Sequence, residues 1–303
     1  MNPLKQLETC GQSPWLDYPK RSLIEKGELR TLIERDGLKG VTSSPSIFEK
    51  AIGETEEYAV ALQHGISAIY EHLAIADIRA AADLLRPVYA QTEGRDGYIS
   101  LECSPYLAND TGATVAEALR LGGAVRRPNL MVEVPATTAG IPAIRQLIGS
   151  GLNINITLLF SVSVHEQGVE AYISGLEDLR AGGEVSKIGS VASFEALIGR
   201  DTVDTIPPTM EAFRDHGEAK GDVIEQDVAG ARAMLAELEQ HGVSLKEVTD
   251  ELVTEGVRQF ADAFDKLFGA IARRRGRLLE GETRWWNAVG ARCASTSKMS
   301  TQG

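Results

Sequence analysis

The sequence predicts an α/β fold, a TIM-type (β/α) barrel. Short apolar runs alternate with longer stretches whose apolar residues recur at helical spacing, which is the pattern of parallel β-α-β units. A chain of 303 residues is long enough to close such units into a (β/α)8 barrel. A doubly wound open sheet is the second choice. Its nucleotide-binding forms are disfavoured, because no G-x-G-x-x-G follows the first strand and no G-x-x-x-x-G-K-[ST] occurs.

Seven apolar runs are predicted as strands, and none reads as part of a hairpin with a two-residue turn. The strands occupy residues 14–17, 39–44, 98–103, 129–134, 153–160, 188–194 and 202–206. The predicted helices occupy residues 23–34, 54–73, 77–89, 110–122, 140–148, 164–180, 208–214, 227–241 and 244–274. Asp77 is interpreted as an acid at a helix N-terminus, where carboxylates are stabilising.

The composition is that of an ordinary globular protein, with 43% apolar and 24% charged residues. The net charge of -12 argues against nucleic-acid binding, and the basic run 273–275 fits the end of a helix. Three widely spaced cysteines (Cys10, Cys103 and Cys293) show no metal-binding spacing and indicate a reducing compartment. The sequence shows neither a signal-like apolar stretch nor 18 uninterrupted apolar residues, so we expect a cytoplasmic protein without membrane contact.

The composition changes near Gly276, which predicts a barrel over residues 1–275 and an extension over 276–303. The extension ends in a Ser/Thr-rich tail, a composition typical of disorder. Within it, Trp285 and Trp286 are adjacent. Because exposed indoles are unfavourable in water, the pair favours anchoring on the barrel or on a second subunit.

Three carboxylates follow predicted strands at the end of the barrel where active sites are built. Asp17 ends the first strand, Glu102 the third and Glu133 the fourth. Glu133 stands between two valines, where burial would raise its pKa towards the range of a general acid or base. Structural alternatives remain for each: a helix N-cap for Asp17, a charge at the edge of a loop for Glu102, and an ion pair for Glu133.

Small polar residues accompany the carboxylates at the same strand ends and are candidates for substrate binding. They are Thr42, Ser44, Asn155, Thr157, Ser190 and Ser193. Asn155 and Thr157 share a face by the strand period of two. The serines have the alternative role of small core residues. The five histidines show no metal spacing, and the sequence predicts neither a metal nor a cofactor.

The order of these motifs resembles that of the transaldolase family. PWLDY at residues 14–18, KGVTSSPSIFEKAI at 39–52 and SLEC at 100–103 are similar to the first three strands of that family. NLMVEVPATTAGIPAI, NINITLLFS and SVASF are similar to the next three, and IGRDTVDTIPP to the last. The resemblance covers about residues 1–275. It implies a barrel in which Asp17 and Glu102 are catalytic.

Glu133 is the first departure from the family pattern. The resemblance places a lysine at this position, whose amine attacks a ketose carbonyl to form a Schiff base. A carboxylate forms no imine. Lys39 and Lys187 lie at the N-terminal side of their strands, the opposite end of the barrel from the site, so neither is expected to replace the lysine.

Two further departures concern substrate binding and barrel closure. Ser44 stands where the family has an asparagine that helps to hold the substrate. After Phe194 several dozen residues of the family are absent, about one strand-helix unit, including an arginine that binds the substrate phosphate. Seven strands then remain. The segment after Phe194 would fill the gap as an antiparallel strand, or the open edges would pair in a homo-oligomer.

The departures leave three functions to compare, each with a small-molecule substrate. The main interpretation is a barrel repurposed away from Schiff-base aldol transfer, which uses the three carboxylates for isomerase, lyase or cyclase chemistry and has its place in specialised metabolism. The first alternative is a sugar-phosphate transaldolase of the pentose phosphate pathway with an altered active-site lysine. The second is a non-catalytic pseudoenzyme that retains only the fold.

Overall fold

The architecture was obtained from a computed structural model. The structure describes residues 2–17, 21–44, 65–180, 185–194, 202–206, 210–219 and 226–299. In the last range, side chains are described as far as Arg277.

Within the described residues, seven strands form one parallel sheet. They are β1 (Gln12–Asp17), β2 (Gly40–Thr42), β3 (Ile99–Glu102), β4 (Leu130–Pro135), β5 (Asn153–Leu159), β6 (Ser190–Phe194) and β7 (Thr202–Ile206). Their order in the sheet is β6-β5-β4-β3-β2-β1-β7, and every pairing is parallel. This confirms the prediction of a TIM-type α/β barrel that has lost about one strand-helix unit.

Ten α-helices accompany the described strands. They are α1 (Pro3–Thr9), α2 (Arg21–Glu25), α3 (Glu28–Thr31), α4 (Ile66–Gln91), α5 (Thr111–Val125), α6 (Gly140–Gly149), α7 (Val162–Arg180), α8 (Met210–His216), α9 (Val228–Gln240) and α10 (Leu245–Met299). Asp110 caps α5 by accepting a hydrogen bond from the Ala113 amide, as an N-cap carboxylate does. Of the described helices, none combines the length and the apolar character that crossing a bilayer requires.

Two helix predictions were wrong in detail. The stretch 23–34 is divided between α2 and α3, because Gly27 adopts a positive φ of 76° that interrupts the helix. Asp77 begins no helix. It lies inside the continuous α4, where its buried carboxylate accepts a hydrogen bond from Arg21 at 2.8 Å. The earlier part of the predicted helix 54–73 falls on residues 54–64, which lie outside the described range.

The C-terminal helix α10 continues through Gly276, where the sequence placed the start of an extension. The amino-acid composition therefore changes near Gly276 although the helix does not end there. The side chains of Trp285 and Trp286 lie outside the described part of this helix, and their anchoring stays a prediction.

An aromatic cluster fills the N-terminal end of the barrel interior. Trp15, Tyr98 and Met131 are almost fully buried and pack together. The Trp15 indole N–H donates to the Asp96 carboxylate at 3.0 Å. Gly40 makes room for the Trp15 ring, which a Cβ at this position would overlap. Apolar and aromatic side chains therefore fill the N-terminal end of the interior, and the polar side chains lie at the C-terminal ends of the strands.

Strands β6 and β7 occupy the two ends of the sheet order. The predicted antiparallel filler between them falls on residues 195–201, outside the described residues. Pairing of these edges with a second subunit stays a prediction.

Candidate active site

Strand register brings the predicted polar residues to one level of the barrel. Glu102 of β3 is the register partner of Glu133 on β4, and Glu133 is the partner of Asn155 on β5. Asp17 and Thr42 are partners on β1 and β2. Since neighbouring strands lie about 4.8 Å apart, these side chains form one cluster at the C-terminal end of the sheet.

Glu133 is the most deeply buried of the three carboxyl groups, with 7% of its surface exposed. Burial is the main reason that its pKa rises from 4.5 to about 8, and the negative charge of Asp17 adds to the rise. Hydrogen bonds from Ser100 and Asn155 act in the opposite direction. Asn155 also donates to the Ser100 hydroxyl at 3.1 Å. At neutral pH the Glu133 carboxyl group is therefore mainly protonated.

The other two carboxyl groups are also shifted towards the neutral form. Burial raises the pKa of Glu102 well above 4.5, and the charges of Glu133 and Asp17 raise it further. Burial raises the pKa of Asp17 above 3.8, although the Thr42 hydroxyl donates to its carboxylate at 2.9 Å. Like charges at one site oppose joint ionisation, so the cluster holds at least one proton near neutral pH.

The predicted ion pair of Glu133 is absent from the part of the chain that the structure describes. The charges that shift the pKa values of Glu102 and Glu133 are those of carboxylates. Glu133 Oε1 and Glu102 Oε2 are buried without a hydrogen-bond partner among the described residues. Lys39 lies before the start of β2 and pairs with Glu8 at 2.6 Å, at the opposite end of the barrel.

The remaining candidates divide into those near the cluster and those away from it. Thr157 lines the same cavity as Glu102 and Glu133. Ser44 is half-buried directly after β2. The Ser190 hydroxyl donates to the Ile154 carbonyl at 3.0 Å, so it satisfies the backbone of β5. The side chain of Ser193 lies outside the described residues.

Two parts of the site were missed in the sequence. Ser100 is fully buried and contacts both Asn155 and Glu133, and its place two residues before Glu102 on β3 could have indicated it. Val257 and Phe260 of α10 line the same cavity as the Glu102 and Glu133 carboxyl groups, at the C-terminal end of the barrel. They carry no sequence signal, because an apolar residue on a helix does not reveal which surface it covers.

The space between α10 and the carboxyl groups is small. A cavity of about 30 Å³, called here the mouth cavity, is lined by Glu102, Glu133 and residues of α10. Such a volume holds about one water molecule. Leu158 at the end of β5 adopts a positive φ of 58°, and its side chain lies where a Cβ on Gly256 of α10 would approach it to 2.7 Å. Gly256 thus permits the close approach of α10.

Within the described ranges, no group of three or more His, Cys, Asp and Glu side chains is arranged to hold a metal ion. The cluster consists of carboxyl, hydroxyl and amide groups. Such groups can transfer protons and form hydrogen bonds with a carbonyl or hydroxyl substrate.

A sequence model of the family described as Transaldolase/Fructose-6-phosphate aldolase matches residues 14–194 and 184–271. The two matched segments meet at residues 184–194, where the sequence predicted the loss of a strand-helix unit. Transaldolase 1 of Streptomyces coelicolor is 35% identical over 358 aligned positions, covering 89% of this chain and 94% of the relative. That alignment is longer than the chain itself, so the relative has residues that this chain lacks.

Two cyanobacterial proteins show the same likeness. Transaldolase 2 of Nostoc punctiforme is 41% identical over 369 positions, covering 89% of this chain and 97% of the relative. Transaldolase of Trichodesmium erythraeum is 40% identical over 267 positions, covering 85% of this chain and 70% of the relative.

These relatives contradict the main functional interpretation of the sequence. That interpretation gave the barrel an isomerase, lyase or cyclase reaction because of Glu133. Relatives that match most of the chain are instead named transaldolase, which favours the first alternative. They also indicate an enzyme, in contrast to the pseudoenzyme alternative.

Proposed function

The chain belongs to the transaldolase/fructose-6-phosphate aldolase family, and from this premise we propose that it catalyses a transaldolase reaction on small sugar phosphates. In that reaction a carbon fragment passes from a ketose phosphate to an aldose phosphate. The main support for this proposal is that relatives aligned with 85–89% of this chain are named transaldolase.

The carboxyl cluster supports this proposal through the residues it retains. Asp17 and Glu102 occupy strand ends at which the resemblance implies catalytic residues, and Asn155 on β5 lies beside Glu133 at the same level of the sheet. Aldol cleavage needs one group that removes a hydroxyl proton and one that stabilises the developing negative charge on the carbonyl oxygen. The cluster contains carboxyl groups suited to both tasks.

We assign the second task to Glu133. A lysine would stabilise the charge through an imine, whereas a carboxylic acid can donate its proton to the carbonyl oxygen. Asp17 would accept the proton of the hydroxyl group on the β-carbon, and the bond that breaks joins this carbon to the α-carbon next to the carbonyl. That C–O(H) group becomes an aldehyde as the C–C bond breaks, and the electron pair of the bond forms an enol whose oxygen receives the Glu133 proton. Addition of the enol to an aldose reverses these steps and restores both carboxyl groups.

Glu133 is suited to this role because its environment keeps the proton in place. A carboxyl group with a pKa of about 8 remains protonated at neutral pH, as a general acid must before it reacts. The unpartnered Oε1 atom can form a hydrogen bond with a substrate. Since the mouth cavity holds about one water molecule, a sugar phosphate reaches this atom through that cavity only when Val257 and Phe260 of α10 move aside. We also propose that the protein acts in the cytoplasm and that it forms a homo-oligomer, as the sequence predicts.

The test is an assay with sedoheptulose 7-phosphate and glyceraldehyde 3-phosphate, each reaction divided and one half treated with borohydride. We expect the protein to form the transferred product and to give no borohydride-trapped adduct. Glu133→Gln is expected to lower kcat by about 10²-fold or more, the scale of general acid catalysis. Glu133→Lys is expected to become trappable, since it restores an amine.

Glu166→Gln is the matched control, because it makes the same change on the exposed surface of α7. It should leave the rate unchanged. Absence of product with sugar phosphates would overturn the transaldolase assignment. Turnover accompanied by a trapped adduct on the unaltered protein would instead overturn only the acid role of Glu133, since another lysine would then form the imine.

A further inference from the structure

Glu102 lies between two cavities. One is the mouth cavity, which it lines together with Glu133. The other, called here the side cavity, lies between α4, α5 and α10 and has a volume of about 150 Å³. Among the described residues that line either space, Glu102 is the one they have in common.

The mouth cavity offers little room for a chain of water molecules. It holds about one water molecule, and most of the residues that line it are apolar, among them Val257, Phe260 and Leu158. A proton that moves through it passes mainly apolar side chains, beside which an isolated charge is unfavourable.

The side cavity offers a polar path of sufficient size. At about 30 Å³ for each water molecule, its volume holds about five. Ser104 and the Tyr70 ring line it near Glu102. Burial is the main reason that the pKa of the Tyr70 phenol is raised, and the charge of Glu102 adds to the rise. The buried Oε2 atom of Glu102, which lacks a partner in the described structure, is a position at which a water molecule would be stabilised.

Ion pairs at the surface line part of the side cavity. Arg120 contacts Glu71 at 2.5 Å and Glu117 at 2.8 Å. The Arg120 and Glu71 side chains are 47% and 35% exposed, and Glu117 is 23% exposed. Ion pairs with this exposure contribute little to stability. They can therefore separate and re-form while the barrel stays folded.

We propose that the side cavity is the route by which protons pass between solvent and the carboxyl cluster, with Glu102 passing them to Glu133. A hydronium ion from solvent protonates the Glu102 carboxylate and leaves a water molecule in the side cavity. Glu102 then transfers its proton to the Glu133 carboxylate, either directly or through the single water of the mouth cavity. One proton has moved inward, and nothing is oxidised or reduced. The proposal rests on the acid role proposed for Glu133.

The charged and titratable groups around Glu102 are consistent with a relay. Glu133 and Asp17 face it from the neighbouring strands, and both disfavour its ionised form. Tyr70 and Glu71 lie on the α4 side of the side cavity, and Glu117 and Arg120 on the α5 side. From α10, the cavity is lined by Phe264 and Phe268, which pack edge-to-face against the Tyr70 ring and form an apolar wall.

The test measures how fast the cluster takes up a proton after a pH jump from above to below about pH 8. The infrared band of the protonated carboxyl groups is followed after rapid mixing in weak buffer, and Glu102→Gln and Glu133→Gln assign its components. Ser104→Leu, which fills the side cavity, should slow protonation of Glu133 at least tenfold. Arg120→Ala, which removes the ion pairs that line the cavity and widens it, should speed protonation several-fold.

Two controls separate this route from its alternatives. Arg127→Ala removes a comparable surface ion pair, with Asp83 at 2.6 Å, far from the cavity, and should leave the rate unchanged. Val257→Ala widens the mouth cavity and should also leave it unchanged. If Ser104→Leu retains the far-UV circular dichroism of the unaltered protein and its normal rate, the route is wrong. A faster rate in Val257→Ala would place the route through the mouth. No sugar is present, so these outcomes do not depend on the transaldolase assignment.

Discussion

Replacing Glu133 by glutamine should stabilise the protein, and the gain should grow with pH. The carboxyl group has a pKa of about 8 in the folded chain against 4.5 when unperturbed. Between these values the unfolded chain has released the proton that the folded chain keeps. The unfolded state therefore binds fewer protons, and the free energy of unfolding falls as the pH rises. Below about pH 4.5 both states are protonated and the penalty is absent.

The expected size follows from the two pKa values. At 1.36 kcal/mol for each pKa unit, the penalty is ~1 kcal/mol near pH 5, ~3 kcal/mol near pH 7 and ~5 kcal/mol near pH 9. Glutamine has the shape of the carboxyl group without its charge, so Glu133→Gln should remove most of this penalty. Because the Glu133 charge also raises the pKa of Glu102, the gain includes relief at that residue.

Urea unfolding of the unaltered protein and of Glu133→Gln at about pH 5, 7 and 9 measures the gain. Glu166→Gln, on the exposed face of α7, serves as the control and should show no such trend. A difference between Glu133→Gln and the unaltered protein that stays constant over this range would refute the reasoning. It would show that Glu133 is already ionised, or already solvated, in the folded chain.

Three further predictions concern the frame of the barrel. Asp36→Ala should lower the free energy of unfolding by about 2 kcal/mol, because it removes a buried carboxylate that accepts hydrogen bonds from Asn2, Arg35 and Arg214; urea unfolding measures this, and an unchanged free energy of unfolding would contradict it. Gly40→Ala should destabilise by about 1–3 kcal/mol, since its Cβ would overlap the Trp15 ring; an unchanged melting temperature would show that the ring moves without strain. If the edges of β6 and β7 pair between two chains, light scattering should give the mass of a dimer, and a monomeric mass would exclude this pairing.

The strands were predictable because their signals are local. Each run of apolar residues is bounded by glycine, proline or polar residues, and all seven predicted runs coincide with strands to within a few residues. The strand-end rule also located Asp17, Glu102 and Glu133 correctly in space. Their proximity follows from parallel register, which a sequence with alternating strands and helices implies.

The errors arose where a residue depends on a distant partner. Asp77 looked like a helix start because its partner, Arg21, lies 56 residues earlier in the chain. The Ser190 hydroxyl donates to a carbonyl of β5, a contact that the sequence did not indicate, and its role in substrate binding stays a prediction. The position of Val257 and Phe260 depends on where α10 crosses the barrel, which the periodicity of the helix does not determine.

The isomerase, lyase or cyclase interpretation was wrong because it was based mainly on one residue, Glu133. Glu133 rules out an imine at that residue, but it does not by itself identify a different reaction. The likeness of the chain to transaldolases extends over most of its length and so reflects many positions together. A substitution at one position can change how a proton or an electron pair is handled while the reaction stays the same.

The course of α10 has a mechanical consequence for the site. Val257 and Phe260 line the mouth cavity, and Phe264 and Phe268 line the side cavity, at spacings of three and four residues that place all four on one face of the helix. The helix acts as a single stiff rod laid across both spaces. A tilt or rotation of α10 therefore changes the volumes of the mouth cavity and the side cavity at the same time. A movement of this helix cannot enlarge one cavity without altering the other.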